Sequence, residues 1–275
     1  MLGFTFGKGW LKSLYLCGAN NSIMKFKILF AFLLALVIGS CKTGTLKPAE
    51  IEGKRIAIDQ SITPDSSIED FVEPYSQHIN KTLDSVLAYN PTNLKKSDGE
   101  LNTALGNLMA DIIMAQVSPV FKSRTGKEID LVLLNYGGIR AAVGKGPVNA
   151  RTAYSLMPFE NEVVIAELTG NKINEMLSYL ESNRTAHPLS GIQIRVNKNY
   201  KIIEATINEK KIDPEKTYFV ATSDYLQQGG DNMNFFKDPV NLYNMNYKIR
   251  NTIIDYFHKV DTLKTTRDNR YIKIQ

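Results

Sequence analysis

Three short segments of the sequence combine residue types that could contact a ligand. Residues 135–140 read Asn-Tyr-Gly-Gly-Ile-Arg, residues 156–161 read Leu-Met-Pro-Phe-Glu-Asn, and residues 223–231 read Ser-Asp-Tyr-Leu-Gln-Gln-Gly-Gly-Asp. Each segment adjoins an apolar run typical of a strand, and adjacent glycines in two of them permit tight turns. Loops at strand ends are where α/β folds place ligands, so these segments form the candidate site.

The residue types in these segments suit a flat, hydroxylated ligand. Phe159 and Tyr225 could sandwich a planar base, amide side chains could bond its edge, and Asp231 could accept hydrogen bonds from ribose hydroxyls. A structural interpretation is also open, in which both aromatic side chains belong to the core and the glycines only make turns. The residue types alone are compatible with both interpretations.

The rest of the sequence offers little for catalysis within this chain. A two-metal hydrolase needs clustered His, Asp and Asn ligands, whereas His78, His187 and His258 are scattered and fit no zinc-binding spacing, so each is interpreted as an ordinary polar position. No Gly-x-Ser-x-Gly nucleophile motif is present. A partial phosphate-loop match at residues 138–145 fails because Val143 stands where the motif needs glycine. We therefore expect no catalytic residue, metal or cofactor in this chain.

Apolar periodicity predicts the elements that carry the three segments. Continuous or alternating apolar runs predict strands, and recurrence every three or four residues predicts helices. The predicted strands are 55–58, 131–134, 163–168, 192–196, 202–207 and 218–222. The predicted helices are 66–87, which starts at a Ser66–Glu69 capping box or at Pro74, then 101–118, which stops before Pro119, and finally 173–180 and 249–260. Strands interleaved with helices predict an α/β or mixed α+β fold, a single domain of mixed sheets flanked by helices.

The positive net charge lies mostly near the N-terminus. The chain has 275 residues and a net charge of +5, but residues 1–40 hold four lysines and no acidic residue, so the remaining residues carry only +1. The net charge of the folded part therefore does not indicate a nucleic-acid partner. A hydrophobic content of 43% excludes a disordered chain and is enough for a sizeable core.

The N-terminal region resembles a bacterial lipoprotein signal. A basic stretch beginning at Met24 precedes an apolar run at residues 28–38, which is too short to span a bilayer and fits a signal-peptide core. Small residues then precede Cys41, which is predicted to carry lipid; a plain secretory signal with a chance cysteine is the alternative. We expect a signal peptide at 1–40 with Met24 as the true start, a lipidated tether at 41–65, and a folded domain at 66–275. This predicts a protein of the bacterial cell envelope, lipid-anchored to a membrane on its periplasmic or surface side.

Six segments of the chain occur in the order found in one known family. The chain resembles the C-terminal, substrate-binding domain of the 5′-nucleotidase / UDP-sugar hydrolase family over about residues 66–260. The matching segments are Leu-Gly-Asn-Leu-Met-Ala-Asp at 105–111, then 135–140, 157–161, Glu-Leu-Thr-Gly at 167–170, Ser-Gly at 190–191, and 225–231.

The resemblance implies roles for residues at matching positions. Phe159 and Tyr225 would clamp the base; Tyr225 stands where Phe is usual, and the ring face rather than the hydroxyl is expected to matter. Asn161 and Gly191 would border the base, and Asp231 would bind ribose hydroxyls. The resemblance also assigns the sugar or phosphate to Asn135 and Arg140, and a structural role to Asn107.

Two departures from the family pattern affect the functional expectation. The family's usual Arg and acid before Leu-Gly-Asn are replaced by Gly99 and Asn102, with Lys95 or Lys96 as candidate substitutes for the Arg. The metallophosphatase domain that family enzymes carry is not found in this sequence. The resemblance therefore implies the nucleotide- or nucleoside-binding half of a 5′-nucleotidase-type phosphoester hydrolase of nucleotide catabolism, which acts with a separately encoded metallophosphatase that holds the divalent metals. A non-enzymatic nucleoside-binding lipoprotein and a degenerate scaffold module are the alternatives.

Overall fold

The computed structural model describes residues 21–38 and 53–274. The chain divides into two compact units, Met1–Thr63 and Pro64–Gln275. In the first unit, Asn21–Ile38 form helix α1, which contains the predicted signal-peptide core. The strand predicted at 55–58 is wrong, because these residues form no regular structure; Ile56 and Ile58 are exposed, and an extended segment is not stable without a partner strand. Cys41 lies outside the described residues.

The second unit alternates helices and strands. Its helices are α2 (Ser66–Asp84), α3 (Ala104–Thr125), α4 (Ala150–Leu156), α5 (Gly170–Asn183), α6 (Asp224–Gln227) and α7 (Ile249–Lys259). Its strands are β1 (Val86–Asn90), β2 (Leu131–Leu133), β3 (Gly146–Asn149), β4 (Glu162–Thr169), β5 (Leu189–Ser190), β6 (Ile192–Val196), β7 (Ile202–Ile207), β8 (Lys210–Lys211), β9 (Thr217–Ser223), β10 (Asn241–Lys248) and β11 (Tyr271–Lys273).

These strands form three sheets. The central sheet has five strands in the order β10-β4-β9-β2-β5; β2 and β9 are parallel, and the other neighbours are antiparallel. A four-stranded sheet has the order β11-β6-β7-β8, and β1 pairs with β3. This single domain of mixed sheets and helices confirms the predicted fold class.

The central sheet is buried on both faces. Val132 and Leu134 pack in one apolar core with side chains of α3, α4 and α7. Leu131 and Leu133 point into a second core, which α5 and the four-stranded sheet complete. Successive side chains of a strand point to opposite faces, so the continuous apolar run at 131–134 correctly indicated a strand covered on both sides.

Helix α3 is longer than its sequence pattern predicted. It continues through Pro119 to Thr125, so the predicted end before Pro119 is wrong. Val117 and Phe121 on either side of the proline are fully buried, and burial of two such side chains, at about 1.5–3 kcal/mol each, offsets the roughly 3 kcal/mol that an internal proline costs. Gly126 then ends the helix in the left-handed region with φ +72°. By length and composition α3 could cross a membrane, but most of it is buried in the core of this unit.

Helix α2 begins at Ser66 and contains Pro74. Its cap is Asp65, whose carboxylate accepts a hydrogen bond from the Ser67 N–H at 2.9 Å, and not the predicted Ser66. The helix ends at Asp84, because the last two apolar residues of the predicted helix belong to β1.

One face of α2 is an exposed apolar stripe. No residue of the helix is buried. The stripe consists of Ile68, Phe71, Val72, Tyr75 and Ile79, all of them exposed. Among the described residues, polar contacts to the rest of the domain involve only the end of the helix, where Arg151 of α4 pairs with Asp84 and bonds Asn80.

Candidate functional site

The topology of the central sheet brings the three candidate segments to one edge. β2 and β9 are parallel, so the loops that follow these strands leave the sheet on the same side. β4 is antiparallel to β9, with Val163 opposite Ser223, so the loop before β4 reaches the same edge. Residues nearly one hundred positions apart in sequence therefore become neighbours.

An open cavity of about 320 Å³ lies among these loops. Its lining residues are Asn135, Gly137, Gly138, Arg140, Phe159, Asn161, Tyr225 and Asp231. Six of the seven residues predicted to bind a ligand thus line one cavity.

The two aromatic side chains are not core residues. Phe159 is 39% exposed and Tyr225 is 45% exposed, so the interpretation that placed both rings in the core is wrong. The guanidinium carbon of Arg140 lies 5.8 Å from the centre of the Phe159 ring. Half-exposed rings that line a cavity are available for stacking.

Two hydrogen bonds hold Asp231, one from the first loop and one from within the third. The Asn135 side-chain amide donates to Oδ2 of Asp231 at 2.7 Å, and the Tyr225 hydroxyl donates to Oδ1 at 2.9 Å. A Cβ at Gly138 would lie 2.8 Å from the Asn135 side-chain oxygen, so glycine here leaves room for the observed position of that side chain. The carboxylate of Asp231 is therefore held in place by two donors.

Two charged side chains line this cavity, Arg140 and Asp231. Arg140 is exposed, and the only hydrogen bond of its side chain within the described residues, from Nη1 to the Gly137 carbonyl, is long at 3.3 Å. Its guanidinium keeps free donors for an anionic group, while Asp231 offers acceptors to hydroxyls. The cavity is therefore suited to a ligand with an aromatic ring, hydroxyl groups and an anionic group.

His187 supports the first loop from the interior. The Tyr136 backbone N–H donates to its Nδ1 at 3.2 Å. His187 is only 5% exposed, and this burial lowers its pKa from 6.5 to about 4, although the negative charge of Asp231 acts in the opposite direction. The interpretation of His187 as an ordinary polar position is therefore wrong. The apolar residues Ala186 and Leu189 beside it were the sequence signal of its burial.

Gly191 is the one predicted binding residue that the structure does not bring to this cavity. It lines a separate cavity with residues that include Ser190 and Arg270. Its φ is +79°, and a Cβ there would lie 2.2 Å from the Asp130 carbonyl oxygen. The glycine is required by the close approach of two backbone segments.

Gly99 and Asn102, the two positions that depart from the family pattern, do not line the candidate cavity either. The Arg267 side chain packs directly against Gly99, because a Cβ at Gly99 would lie 2.8 Å from Cδ of Arg267. The buried Asn102 donates to the carbonyls of Asp268 and Tyr271 and accepts from Asn107, which shows that both asparagines are structural.

Lys96 contacts the first loop without lining the cavity. Its Nζ donates to the Ile139 carbonyl at 2.9 Å and lies 4.5 Å from the centre of the Tyr136 ring. Lys96 therefore stabilises this loop. Neither Lys95 nor Lys96 is among the residues that line the cavity.

Possible metal ligands do not cluster in the part of the chain that the structure describes. Across residues 21–38 and 53–274, no three His, Cys, Asp or Glu side chains are placed to hold a metal ion.

Comparison with known proteins identifies the domain. The family described as "5′-nucleotidase, C-terminal domain" matches residues 81–238, more than half of the chain. The chain belongs to the 5′-nucleotidase C-terminal domain family. The match includes all the residues that line the candidate cavity.

Curated relatives of the chain include a nucleotide phosphoesterase. It is 31% identical over 150 residues to the trifunctional nucleotide phosphoesterase protein YfkN of Bacillus subtilis, covering 50% of this chain and 10% of that protein. It is 30% identical over 134 residues to protein UshA of Escherichia coli, covering 48% of this chain and 22% of that protein. The chain spans less than half the length of each of these relatives.

Solved structures show the same fold. The 5′-nucleotidase precursor of Thermus thermophilus matches with a TM-score of 0.62 and 21% identity, over 76% of this chain and 43% of that chain. This likeness confirms the fold of the domain.

Proposed function

We propose that the cavity binds a nucleotide or nucleoside, and that the chain is the binding half of a 5′-nucleotidase-type phosphoester hydrolase. One observation carries this proposal. Two half-exposed aromatic side chains, one arginine and one fixed carboxylate line the same 320 Å³ cavity in a domain of this family. These groups complement the base, phosphate and ribose of a nucleotide, respectively.

Each lining side chain has a role in this proposal. Phe159 and Tyr225 stack on the base, which is worth about 1–3 kcal/mol for each aromatic contact. Asn161 bonds the base edge, and Asp231 accepts hydrogen bonds from ribose hydroxyls. Arg140 binds phosphate, and Asn135 contacts the sugar while holding Asp231.

The catalytic groups in this proposal belong to a separate metallophosphatase. This part of the proposal follows the resemblance, in which a metallophosphatase holds the divalent metals. The exposed apolar stripe of α2 favours a protein partner, because contiguous apolar patches on a surface usually mark an interaction site. The proposed partner supplies the divalent metals, and this chain supplies the nucleotide.

We further propose that the chain acts in the cell envelope, anchored through lipid on Cys41. The lipoprotein-like sequence before Cys41 supports the anchor. A relative named cell wall protein Lmo0130, from Listeria monocytogenes, is 25% identical over 65% of this chain and 25% of that protein, which supports the location.

An assay of phosphate release from AMP tests whether catalysis requires a separate metallophosphatase. Residues 42–275 alone should release no phosphate with Mg²⁺, Mn²⁺ or Zn²⁺, and adding a metallophosphatase encoded beside this gene should produce release. Phe159→Ala should weaken the reaction at low AMP concentration, whereas Tyr154→Phe, a change outside the cavity, should not. Metal-dependent release by this chain alone would contradict the proposal of a separate catalytic subunit.

A further inference from the structure

The hydroxyl of Tyr225 makes two contacts with one residue. It donates to Oδ1 of Asp231 at 2.9 Å and accepts from the Asp231 backbone N–H at 3.3 Å. The Asp231 carbonyl also accepts a hydrogen bond from the Tyr179 hydroxyl at 3.0 Å. Asp231 is therefore held through both its backbone and its carboxylate.

Asp231 adopts a backbone conformation that needs such support. Its φ is +52° and its ψ is +26°, in the left-handed region that non-glycine residues seldom occupy. A residue keeps this backbone conformation when the surrounding contacts impose it, and such residues are frequent at ligand sites. The Asp231 N–H donates to Tyr225, the Tyr179 hydroxyl donates to the Asp231 carbonyl, and the Met233 N–H donates to the Gly230 carbonyl; these bonds help to hold this turn.

The ring of Tyr225 is itself fixed by the loop. A Cβ at Gly230 would lie 2.4 to 2.7 Å from three carbon atoms of the ring, so the ring rests directly on the Gly230 backbone. The side chain is 45% exposed and lines the cavity. The same side chain thus contributes a ring to the cavity and holds the neighbouring acid with its hydroxyl.

We infer that Tyr225 is a positioning residue whose hydroxyl fixes the Asp231 carboxylate and makes the cavity selective for ligands with vicinal hydroxyl groups. This inference rests on the proposed nucleoside binding. Oδ1 of Asp231 accepts from Tyr225 and Oδ2 accepts from Asn135. Each oxygen keeps a second lone pair, so two adjacent acceptors face a pair of ribose hydroxyls. Phenylalanine at this position would keep the ring but remove one of the two donors that hold the carboxylate, leaving Asn135 as the other.

Isothermal titration calorimetry on the full chain in mild detergent tests this inference with adenosine, 2′,3′-dideoxyadenosine and adenine. Tyr225→Phe should weaken adenosine binding about tenfold, the effect of one charge-assisted hydrogen bond. It should change the affinities for dideoxyadenosine and adenine by less than about twofold, because the stacking face is kept. Tyr154→Phe removes a hydroxyl outside the cavity and should change none of the three affinities.

A double-mutant cycle links the hydroxyl to the acid. Asp231→Asn should also weaken adenosine selectively, and the double variant with Tyr225→Phe should lose less than the product of the two single losses. An unchanged adenosine affinity in Tyr225→Phe, or an equal loss for all three ligands, would overturn the positioning role while leaving nucleoside binding intact. If the wild-type chain binds none of the three ligands at millimolar concentration, the proposed function itself is wrong, and this inference falls with it.

Discussion

Acidification should destabilise the domain through His187. The folded state keeps this buried imidazole neutral and lowers its pKa from 6.5 to about 4, with burial as the main cause. Between these two pH values the unfolded chain binds a proton that the folded chain does not. The contribution of His187 is therefore fully present above about pH 6.5, and it is lost progressively as the pH falls towards 4.

The size of this loss follows from the two pKa values. Each pH unit between them lowers the free energy of unfolding by about 1.4 kcal/mol. Protonation of His187 therefore removes about 3 kcal/mol of this free energy by pH 4. Protonation also removes the acceptor of the Tyr136 N–H, because Nδ1 then carries a proton. The first loop of the cavity should open in the same pH range.

Urea denaturation between pH 7.5 and pH 4.5 measures this effect. His187→Asn places an amide oxygen near the position of Nδ1 and cannot titrate, so its free energy of unfolding should fall less steeply with pH than that of wild type. His258 is exposed, and His258→Gln should keep the wild-type slope. If His187→Asn retains the full wild-type pH dependence, His187 is not the titrating group and the reasoning is refuted.

Three further predictions concern the framework and the N-terminal region. Gly191→Ala should lower the free energy of unfolding by more than about 2 kcal/mol, because its Cβ would lie 2.2 Å from a carbonyl oxygen at positive φ; a melting temperature equal to wild type would contradict this. Arg270→Met should cost about 1–2 kcal/mol in urea denaturation, because it removes the two bonds of 2.8 and 2.9 Å to Asp111 of α3, whose carboxylate is half-exposed; no measurable loss would argue that this pairing does not stabilise the domain. Cys41→Ser should abolish palmitate labelling and release the protein from the membrane fraction, and unchanged labelling would contradict the lipid anchor.

The sequence predicted the elements that carry the cavity, because apolar runs mark strands directly. The runs at 131–134, 163–168 and 218–222 became neighbouring strands of the central sheet. Their loops were selected as candidates since each combines glycine or proline with polar and aromatic residues, and the structure brings residues of all three to one cavity. The end of α3 was misplaced, because the local cost of Pro119 is outweighed by burial that only the tertiary structure shows.

Other features of the site depend on contacts that sequence spacing does not encode. The hydroxyl of Tyr225 reaches Asp231 because the turn between them is left-handed, and this gives the hydroxyl a role that the family pattern did not indicate. Gly191 was placed beside the base by the resemblance, but its conformation is set by the backbone of residue 130. His187 is buried behind the first loop, although it lies 51 residues from Tyr136 in the sequence.

Calorimetric titration of adenosine into wild type, Phe159→Ala and Tyr225→Ala tests nucleoside binding in the cavity most directly. Wild type should bind, and Phe159→Ala should bind about tenfold to hundredfold more weakly, which corresponds to about 1–3 kcal/mol for a lost aromatic contact. Tyr225→Ala should lose at least as much, because it also removes the hydroxyl that bonds Asp231. Both side chains are half-exposed, so the melting temperatures of the variants should stay close to that of wild type. Absence of wild-type binding at millimolar adenosine, or wild-type affinity in both alanine variants, would contradict the assignment of this cavity.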